Sequence, residues 1–511
     1  MLPPPVDETP RECRPVPSPM RALTPRQYDE IVADLLQDTS RPARDLEAPS
    51  SETRFDNHAD WVSMDEVRLR FYLSSAEGLA TRALTRQASV FPCAAPMAAQ
   101  EEACVGQIFD TFGRRAWRRT LTADERTTLL GVFRTVRALS GATYNDALSA
   151  VLQVVLQSPQ FLYVTEVGTP VVGATRPTSR LTPLETATKL SLYLWGTVPD
   201  VALLDAAEQG RLETKQDVER EVRRLLASPK AREGYLHFAS QWLETEHLAD
   251  VSKNATTFPL WSPDVSNAAR AELETFIGDT YAGGKNYAAL LTARDTSVNA
   301  TLAPLYGVQA GATSLPASRA GVLTRVAWLA AHSHPEATSP TFRGKSIRTR
   351  MLCEEVSPPP PGVNVMLPNV TGPATIRQRL SVHIEAGSSC FSCHRLMDPI
   401  GFGLESYDGI GVSRTTDNGL PVDDRGEIVG GSTAGTFTGP IELSQRLADS
   451  PEANRCYLTQ AYRYAQGRTE TSRDRCHLDA AQRSLPAGAS LQDVAVAITT
   501  SDAFLTRETL P

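Results

Sequence analysis

Residues 23–36, with the sequence LTPRQYDEIVADLL, carry both the start signal and the periodicity of an amphipathic helix. Thr24 suits the N-cap, because its hydroxyl can accept a hydrogen bond from a free backbone N–H, and Pro25 suits the first helical position. Apolar side chains then recur every three or four residues and so share one face: Tyr28, Ile31, Val32, Leu35 and Leu36. Similar starts occur at residues 121–125 (LTADE) and 181–185 (LTPLE). Because such patterns dominate the chain, we predict a mainly α fold with several multi-helical domains.

The composition excludes several classes of protein. The chain has 511 residues, of which 41% are hydrophobic and 22% charged, the mix of an ordinary globular protein. At about 150 residues per domain, this length predicts two to four domains. The net charge of −8, with no basic stripe, argues against nucleic-acid binding. No uninterrupted apolar run approaches the ~20 residues that span a bilayer, so we expect no membrane span.

Breaks in the helical pattern divide the chain into segments. We predict a flexible tail at 1–20, an N-terminal helical domain at 21–88, a helical domain with a local disulfide at 89–168, a linker at 169–180, a central helical domain at 181–315, a cytochrome-c-like haem segment at 316–440 and a C-terminal helical domain at 441–511. Asn418 and Gly419 both accept the positive φ of a type I′ turn, so they predict a small hairpin near the C-terminal third.

The cysteines indicate the compartment. Cys93 lies close in sequence to Cys104, and Cys456 lies close to Cys476, so we predict two local disulfides and leave Cys13 and Cys353 unassigned. Free buried thiols are the alternative. Short-range disulfides suit an oxidising compartment, which predicts a periplasmic or secreted protein. Residues 1–20 lack the apolar core of a signal peptide, so we expect an export signal that is trimmed or outside this chain.

Residues 390–394 form the motif CxxCH, with the sequence CFSCH. On a helix, positions three and four apart share a face. Cys390 and Cys393 can then form thioethers with one edge of a porphyrin, while His394 binds the iron as its proximal ligand. This predicts one covalently attached haem c. A zinc site and a dithiol redox site are the alternatives, but the region lacks a second ligand pair and a βαβ pattern. A vestigial motif also stays open.

The ligand on the opposite face of the iron would decide what the haem does. No methionine follows Met397, so a later methionine is excluded. His383 is the nearest upstream candidate in sequence. The others are His332, His334, Met351 and Met366. An unfilled position is a further alternative, and it would admit peroxide or oxygen.

Charged residues around the motif have supporting roles in this interpretation. Three acidic residues follow it, and we expect them to cap helices and orient the haem segment rather than bind a cation: Asp398, Glu405 and Asp408. Four basic residues are candidates to pair with a haem propionate, the alternative being solvated surface charge: Arg343, Lys345, Arg395 and Arg414.

Residues 390–411 (CFSCHRLMDPIGFGLESYDGIG) resemble the haem-motif segment of the planctomycete-type secreted cytochrome-c-like proteins, in which CxxCH precedes DPxGF-x-LE-x-[FY]D. The matching positions are Asp398, Pro399, Gly401, Phe402, Leu404, Glu405, Tyr407 and Asp408. The resemblance extends along the chain at 23–36, 55–57, 112–125, 181–212, 298–299, 305–307, 339–345, 463–468 and 501–504. The cysteine-containing variants are similar to those of myxobacteria.

The resemblance implies an exported, cytochrome-like protein whose domains are mostly of unknown function, associated with oxidative chemistry outside the cytoplasm. It also implies a histidine just upstream of the motif, where His383 stands. The chain lacks a second CxxCH, which argues against a multi-haem relay. We therefore expect electron transfer with a redox partner protein, or a peroxidase-like or oxygen-activating haem oxidoreductase, or a haemless scaffold. The sequence leaves the oligomeric state open.

Overall fold

The computed structural model describes residues 13–46, 55–61, 64–94, 96–357, 372–385, 387 and 390–509. Helices dominate these ranges, which confirms the predicted mainly α fold. The first helices are α1 (Pro25–Leu36), α2 (Glu66–Thr85), α3 (Gln87–Val90), α4 (Glu101–Ile108), α5 (Arg114–Ala116), α6 (Ala123–Arg137), α7 (Tyr144–Gln157), α8 (Pro159–Leu162), α9 (Pro183–Leu194), α10 (Val201–Glu208), α11 (Lys215–Leu226) and α12 (Pro229–Trp242).

The later helices and the strands complete the described architecture. The helices are α13 (Pro263–Ala282), α14 (Tyr287–Thr292), α15 (Ala303–Tyr306), α16 (Val326–Ala331), α17 (Pro340–Ser346), α18 (Ile376–Leu380), α19 (Phe391–Phe402), α20 (Gly439–Asp449), α21 (Pro451–Gln466), α22 (Asp474–Ser484), α23 (Leu491–Thr499) and α24 (Asp502–Leu505). The strands are β1 (Arg21–Ala22), β2 (Tyr163–Val164), β3 (Thr169–Pro170), β4 (Thr178–Arg180), β5 (Thr416–Asp417), β6 (Leu420–Pro421), β7 (Arg425–Ile428), β8 (Gly435–Thr438) and β9 (Thr506–Glu508). All strand pairs among them are antiparallel.

The predicted helix starts are confirmed. Thr24, Thr122 and Thr182 each cap a helix, and each accepts a hydrogen bond from the backbone N–H three residues on. In each case the side chain at that third position returns a bond to the backbone of the cap. These reciprocal bonds satisfy N–H groups that no helical carbonyl can reach.

The described residues form two compact units. Unit 1 comprises Met1–Gly234, Tyr462–Ser484 and Val496–Pro511, and unit 2 comprises Tyr235–Ala461 and Leu485–Ala495. The sequence-based domain boundaries stay predictions. No helix within the described ranges is both long and apolar enough to cross a bilayer.

Unit 1 is organised around α7, which packs against α2 and α6. Leu152, Val155 and Leu156 are buried in this helix. Trp195 is also a core residue, and its indole N–H donates to the carbonyl of Leu225 at 2.9 Å.

The stretch predicted as a linker at 169–180 takes part in a small sheet within unit 1. It contributes β3 and β4, and β4 pairs in turn with β9 near the C-terminus. Its one glycine, Gly173, has φ 80°, a backbone conformation that favours glycine. The pairing with β9 depends on residues more than 300 positions away, so local composition could not reveal it.

Unit 2 has an aromatic core around Trp242, which is fully buried. Its ring centroid lies 5.2 Å from that of Tyr457, and its indole N–H donates to the carbonyl of Arg350 at 2.9 Å. The predicted hairpin is also in this unit. β5 and β6 pair across Asn418 and Gly419, whose φ values of 50° and 80° fit the expected turn.

Three disulfides lie among the described residues, and one prediction about them is wrong. Cys93 bonds Cys104 as expected, but Cys456 does not bond Cys476. Cys353 bonds Cys456, while Cys13 bonds Cys476. Short separation lowers the entropic cost of meeting, but the packed backbone decides which Cα atoms lie close enough to bridge. Each of these bonds joins residues of a single unit.

Candidate haem-attachment site

The CxxCH motif occupies the start of α19. Cys390 is the N-cap residue, and the backbone N–H of His394 donates to its carbonyl at 3.1 Å. Cys390 and Cys393 are reduced thiols, each partly exposed. Because they stand three residues apart at the start of one helix, their spacing predicts that they share a side of the helix with His394.

A buried carboxylate holds the imidazole. His394 Nδ1 lies 2.9 Å from Asp398 Oδ2, one turn further along α19. Asp398 is fully buried, and its Oδ1 accepts a hydrogen bond from Thr341 Oγ1 at 2.8 Å. Because a carboxylate accepts hydrogen bonds, Nδ1 is the donor here, and in the neutral imidazole Nε2 then keeps its lone pair. This is the tautomer that a metal-binding histidine needs.

Two glycines allow α17 to lie directly against α19. A Cβ on Gly344 would meet the carbonyl oxygen of Met397 at 1.9 Å, and one on Gly401 would meet that of Pro340 at 1.9 Å. Any side chain at either position would therefore push the helices apart. This close crossing brings Thr341 of α17 within reach of Asp398.

His383 reaches the site through a separately anchored segment. It ends the 3-10 turn Ser381–His383, which follows α18. Ile376 and Leu380 of α18 pack on Phe402 at the end of α19. Arg377 reinforces this anchor, since its guanidinium lies 4.6 Å from the centre of the Phe402 ring.

The structure brings the two predicted histidines into contact. The ring centroids of His383 and His394 are 4.6 Å apart, with planes tilted by 56°. The Nδ1 atom of His383 is buried and has no hydrogen-bond partner. Burial lowers the pKa of His383, and the nearby His394 lowers it further. A buried nitrogen without a hydrogen-bond partner is energetically costly. Binding of a metal ion or a proton at this nitrogen would remove that cost.

His383 and His394 both have nitrogens that can bind a metal ion, but the distance between them decides whether they can bind the same ion from opposite sides. The ligand atoms of His383, His394 and Asp398 lie within 4.8 Å of one another. Metal–imidazole bonds are about 2 Å long, so nitrogens on opposite sides of one ion are about 4 Å apart and the ring centres lie further out. The observed 4.6 Å between centres is too short for that. His383 could therefore bind the same ion opposite His394 only after moving outward.

The other candidate axial ligands have different surroundings. His332 is buried, its Nδ1 lies 2.8 Å from the carbonyl of Trp328, and its Nε2 lies 3.4 Å from Glu244. Burial opposes ionisation of Glu244, but His332 and Arg350 outweigh it and lower the pKa of Glu244 to about 2. His334 packs on Phe342, and Met351 is buried. Met366 lies outside the described residues.

The acidic residues after the motif orient the chain, as expected. Besides Asp398, Asp408 accepts hydrogen bonds from the N–H groups of Ile410 and Val412 at 2.9 and 2.8 Å and so caps a turn. Glu405 is buried between Arg343 and Arg414. Burial raises the pKa of Glu405, and the two guanidinium groups oppose that shift.

The basic residues considered for a propionate have protein partners. Arg343 is fully buried rather than solvated, and it donates to the carbonyls of Leu404 and Asp408 at 3.1 and 2.8 Å. Burial lowers its pKa to about 10. Arg414 donates to Glu405 at 2.7 Å, and Arg395 donates to Glu427 at 2.8 Å. Lys345 is partly exposed and has an interaction partner.

Sequence reasoning missed two parts of this site. Nothing in the residues around Thr341 indicates its bond to Asp398, 57 positions away. Gly344 and Gly401 are different, because glycines inside two helical stretches are themselves a signal of close packing.

Five family models match most of the chain. They are proteins of unknown function, DUF1587 at residues 21–85, DUF1595 at 104–166, DUF1592 at 181–308, DUF1588 at 319–417 and DUF1585 at 434–504. The short name of the model at 319–417 is PSCyt3, and this match contains the whole candidate site. The chain belongs to the planctomycete cytochrome-c-associated family. Its resemblance to that family is thereby confirmed, while the function of the member domains is unknown. No match was found among curated proteins or solved structures.

Proposed function

We propose that this member of the planctomycete cytochrome-c-associated family is an exported c-type haem protein that exchanges electrons with a partner protein in the periplasm or outside the cell. Cys390 and Cys393 hold one haem through thioether bonds, and His394 Nε2 is the proximal ligand. Bound there, the haem supplies a one-electron couple.

One observation carries this proposal. His394 follows two reduced cysteines at the start of α19, and its Nδ1 is held at 2.9 Å by a carboxylate. The helix supplies the spacing of the three groups, and Asp398 supplies the orientation and the tautomer. A structural zinc site would need a fourth protein ligand besides the two thiols and His394.

The remaining cysteines support an oxidising destination. Three disulfides join the other six cysteines, whereas the motif pair stays reduced. Two cysteines that stay reduced while the other six form disulfides are suited to the covalent attachment of a haem.

His383 distinguishes electron transfer from the alternative function. In the proposed carrier it moves outward and becomes the sixth ligand, which leaves no open coordination position. If it stays in contact with His394, the position is open and a peroxidase-like oxidoreductase is the better description. The buried Nδ1 without a partner favours the first arrangement.

Haem attachment is tested by expression in a periplasm that contains a cytochrome c maturation system. We expect the denatured chain to keep one haem, measured by intact mass and by its pyridine haemochrome spectrum. Replacing Cys390 and Cys393 together by Ala should abolish the added mass. Replacing Cys93 and Cys104 by Ala is the matched control, since it also removes two cysteines but leaves the motif intact.

The contrary outcomes identify the alternatives. A wild-type chain without added mass contradicts the proposal and leaves the haemless scaffold. If metal analysis of that chain finds stoichiometric zinc, the cluster of His383, His394 and Asp398 is its first candidate site. If haem is present but the protein cycles peroxide with a saturating rate, the enzymatic alternative replaces electron transfer.

A further inference from the structure

The hydrogen-bond partner of His394 is a carboxylate buried inside the protein. Asp398 has no exposed surface, and the structure gives its carboxylate two hydrogen bonds, one from Thr341 and one with His394. His394 is the basic side chain that contacts this carboxylate. This hydrogen bond links the carboxylate directly to the imidazole.

The position of the carboxylate is built rigidly. Asp398 lies in the middle of α19, at the level where the chain crosses α17 with backbone contact. Thr341 holds one oxygen, which leaves the other directed at His394 Nδ1. A group supported in this way keeps its hydrogen bond without reorganisation.

A charged acceptor acts differently from a neutral one. A hydrogen bond to an ionised group is shorter and roughly twice as strong as one between neutral groups. It draws the Nδ1 proton away from the ring and makes Nε2 a stronger electron donor. The buried charge also interacts strongly with any charge bound at Nε2, because the surrounding dielectric constant is low.

We infer that Asp398 is a positioning residue that acts through His394 to stabilise the oxidised state of an iron bound at Nε2. The inference rests on the proposed haem attachment. It predicts a lower reduction potential for the haem iron than a neutral acceptor at this position would allow. The redox partner is then either an electron donor of low potential or an oxidised substrate that accepts the electron. Axial donation and local charge are recognised determinants of such potentials.

The test compares two isosteric substitutions in the haem-loaded full chain. Asp398→Asn removes the charge that contacts His394 but keeps the shape. Asp408→Asn removes the same charge in the same segment, and its amide oxygen can still accept from Ile410 and Val412. Potentiometric titration measures each variant. Resonance Raman spectroscopy of the reduced protein, with each substitution placed in a His383→Ala background that leaves the sixth position open, measures the iron–histidine stretching frequency.

We expect Asp398→Asn to favour the reduced state at least tenfold, which is a rise of 59 mV for one electron. The iron–histidine frequency should fall in Asp398→Asn. Asp408→Asn should change the ratio of reduced to oxidised protein less than twofold. Equal shifts in both variants, or no shift in either, would overturn the inference. Failure to attach haem in the wild-type chain is a separate result and concerns the proposed function.

A second variant covers the case in which Asp398→Asn does not fold. Thr341→Val keeps the carboxylate but removes the hydroxyl that shares its charge. More charge then remains for His394, so the potential should fall instead of rising. A rise of the reduction potential in Thr341→Val contradicts the inference. Shifts of opposite sign in the two variants support it, because a general loss of structure gives no reason for opposite signs.

Discussion

At the residue scale, the site combines local spacing with two distant contacts. Cys390, Cys393, His394 and Asp398 lie within nine residues of one helical stretch, so the sequence predicts their common face. The contacts of His383 and Thr341 depend on how α18 and α17 pack against α19. The motif could therefore be predicted from the sequence, whereas the groups that tune it could not.

The role of His383 gives a prediction about the spectrum. In the haem-loaded protein, His383→Ala should convert a six-coordinate, low-spin spectrum into a high-spin one, because the sixth ligand is lost. Absorption spectra of the oxidised protein, with and without cyanide, measure this change. His334→Ala is the control, since His334 packs on Phe342 and lies outside the cluster.

The opposite result is equally informative. If wild type is already high-spin and His383→Ala leaves the spectrum unchanged, His383 does not bind the iron. That outcome contradicts the electron-transfer proposal in its six-coordinate form and favours the peroxidase-like alternative.

At the element scale, helix starts are the best-predicted features and strand partners the worst. The capping boxes at Thr24, Thr122 and Thr182 are formed by residues three positions apart, so the sequence contains the whole interaction. The sheet of β3, β4 and β9 joins distant segments, and none of these strands exceeds three residues. Strands this short lack a pattern that could indicate their pairing.

The crossing of α17 and α19 gives a prediction about stability. Gly344→Ala should lower the free energy of unfolding of unit 2 by about 3 kcal/mol or more, because the added Cβ meets a carbonyl oxygen and the helices must separate. It should also weaken the bond from Thr341 to Asp398. Denaturant unfolding and the iron–histidine frequency measure the two effects.

Gly131→Ala is the control for this substitution. Gly131 also lies inside a helix, α6, but a Cβ there meets no atom within 4 Å. The better helix propensity of alanine should then stabilise the protein, by up to about 1 kcal/mol. If both substitutions have the same small effect, close contact between α17 and α19 is not needed for the fold.

At the scale of the whole molecule, the disulfides show that short sequence separation does not by itself predict which cysteines pair. Cys456 and Cys476 are 20 residues apart, yet each is bonded to a more distant cysteine, 103 and 463 residues away. In unit 1, further contacts hold the segment that carries Cys13. His477 Nε2 lies 2.8 Å from the carbonyl of Arg14, and the N–H of Glu508 donates to the carbonyl of Val16 at 2.9 Å. Tertiary packing, rather than separation, selects the pairs.

The location of each bond within one unit gives the last prediction. Replacing Cys353 and Cys456 by Ala should lower the free energy of unfolding by about 2–5 kcal/mol, since the bond closes a long loop in the unfolded chain. Hydrogen exchange should report the loss in unit 2 and leave the amides of unit 1 protected. The Cys93→Ala, Cys104→Ala protein is the matched comparison and should lose protection in unit 1 instead. Equal loss of protection in both units from either pair would mean that the molecule unfolds as one cooperative body, because only then can a bond inside one unit stabilise the other.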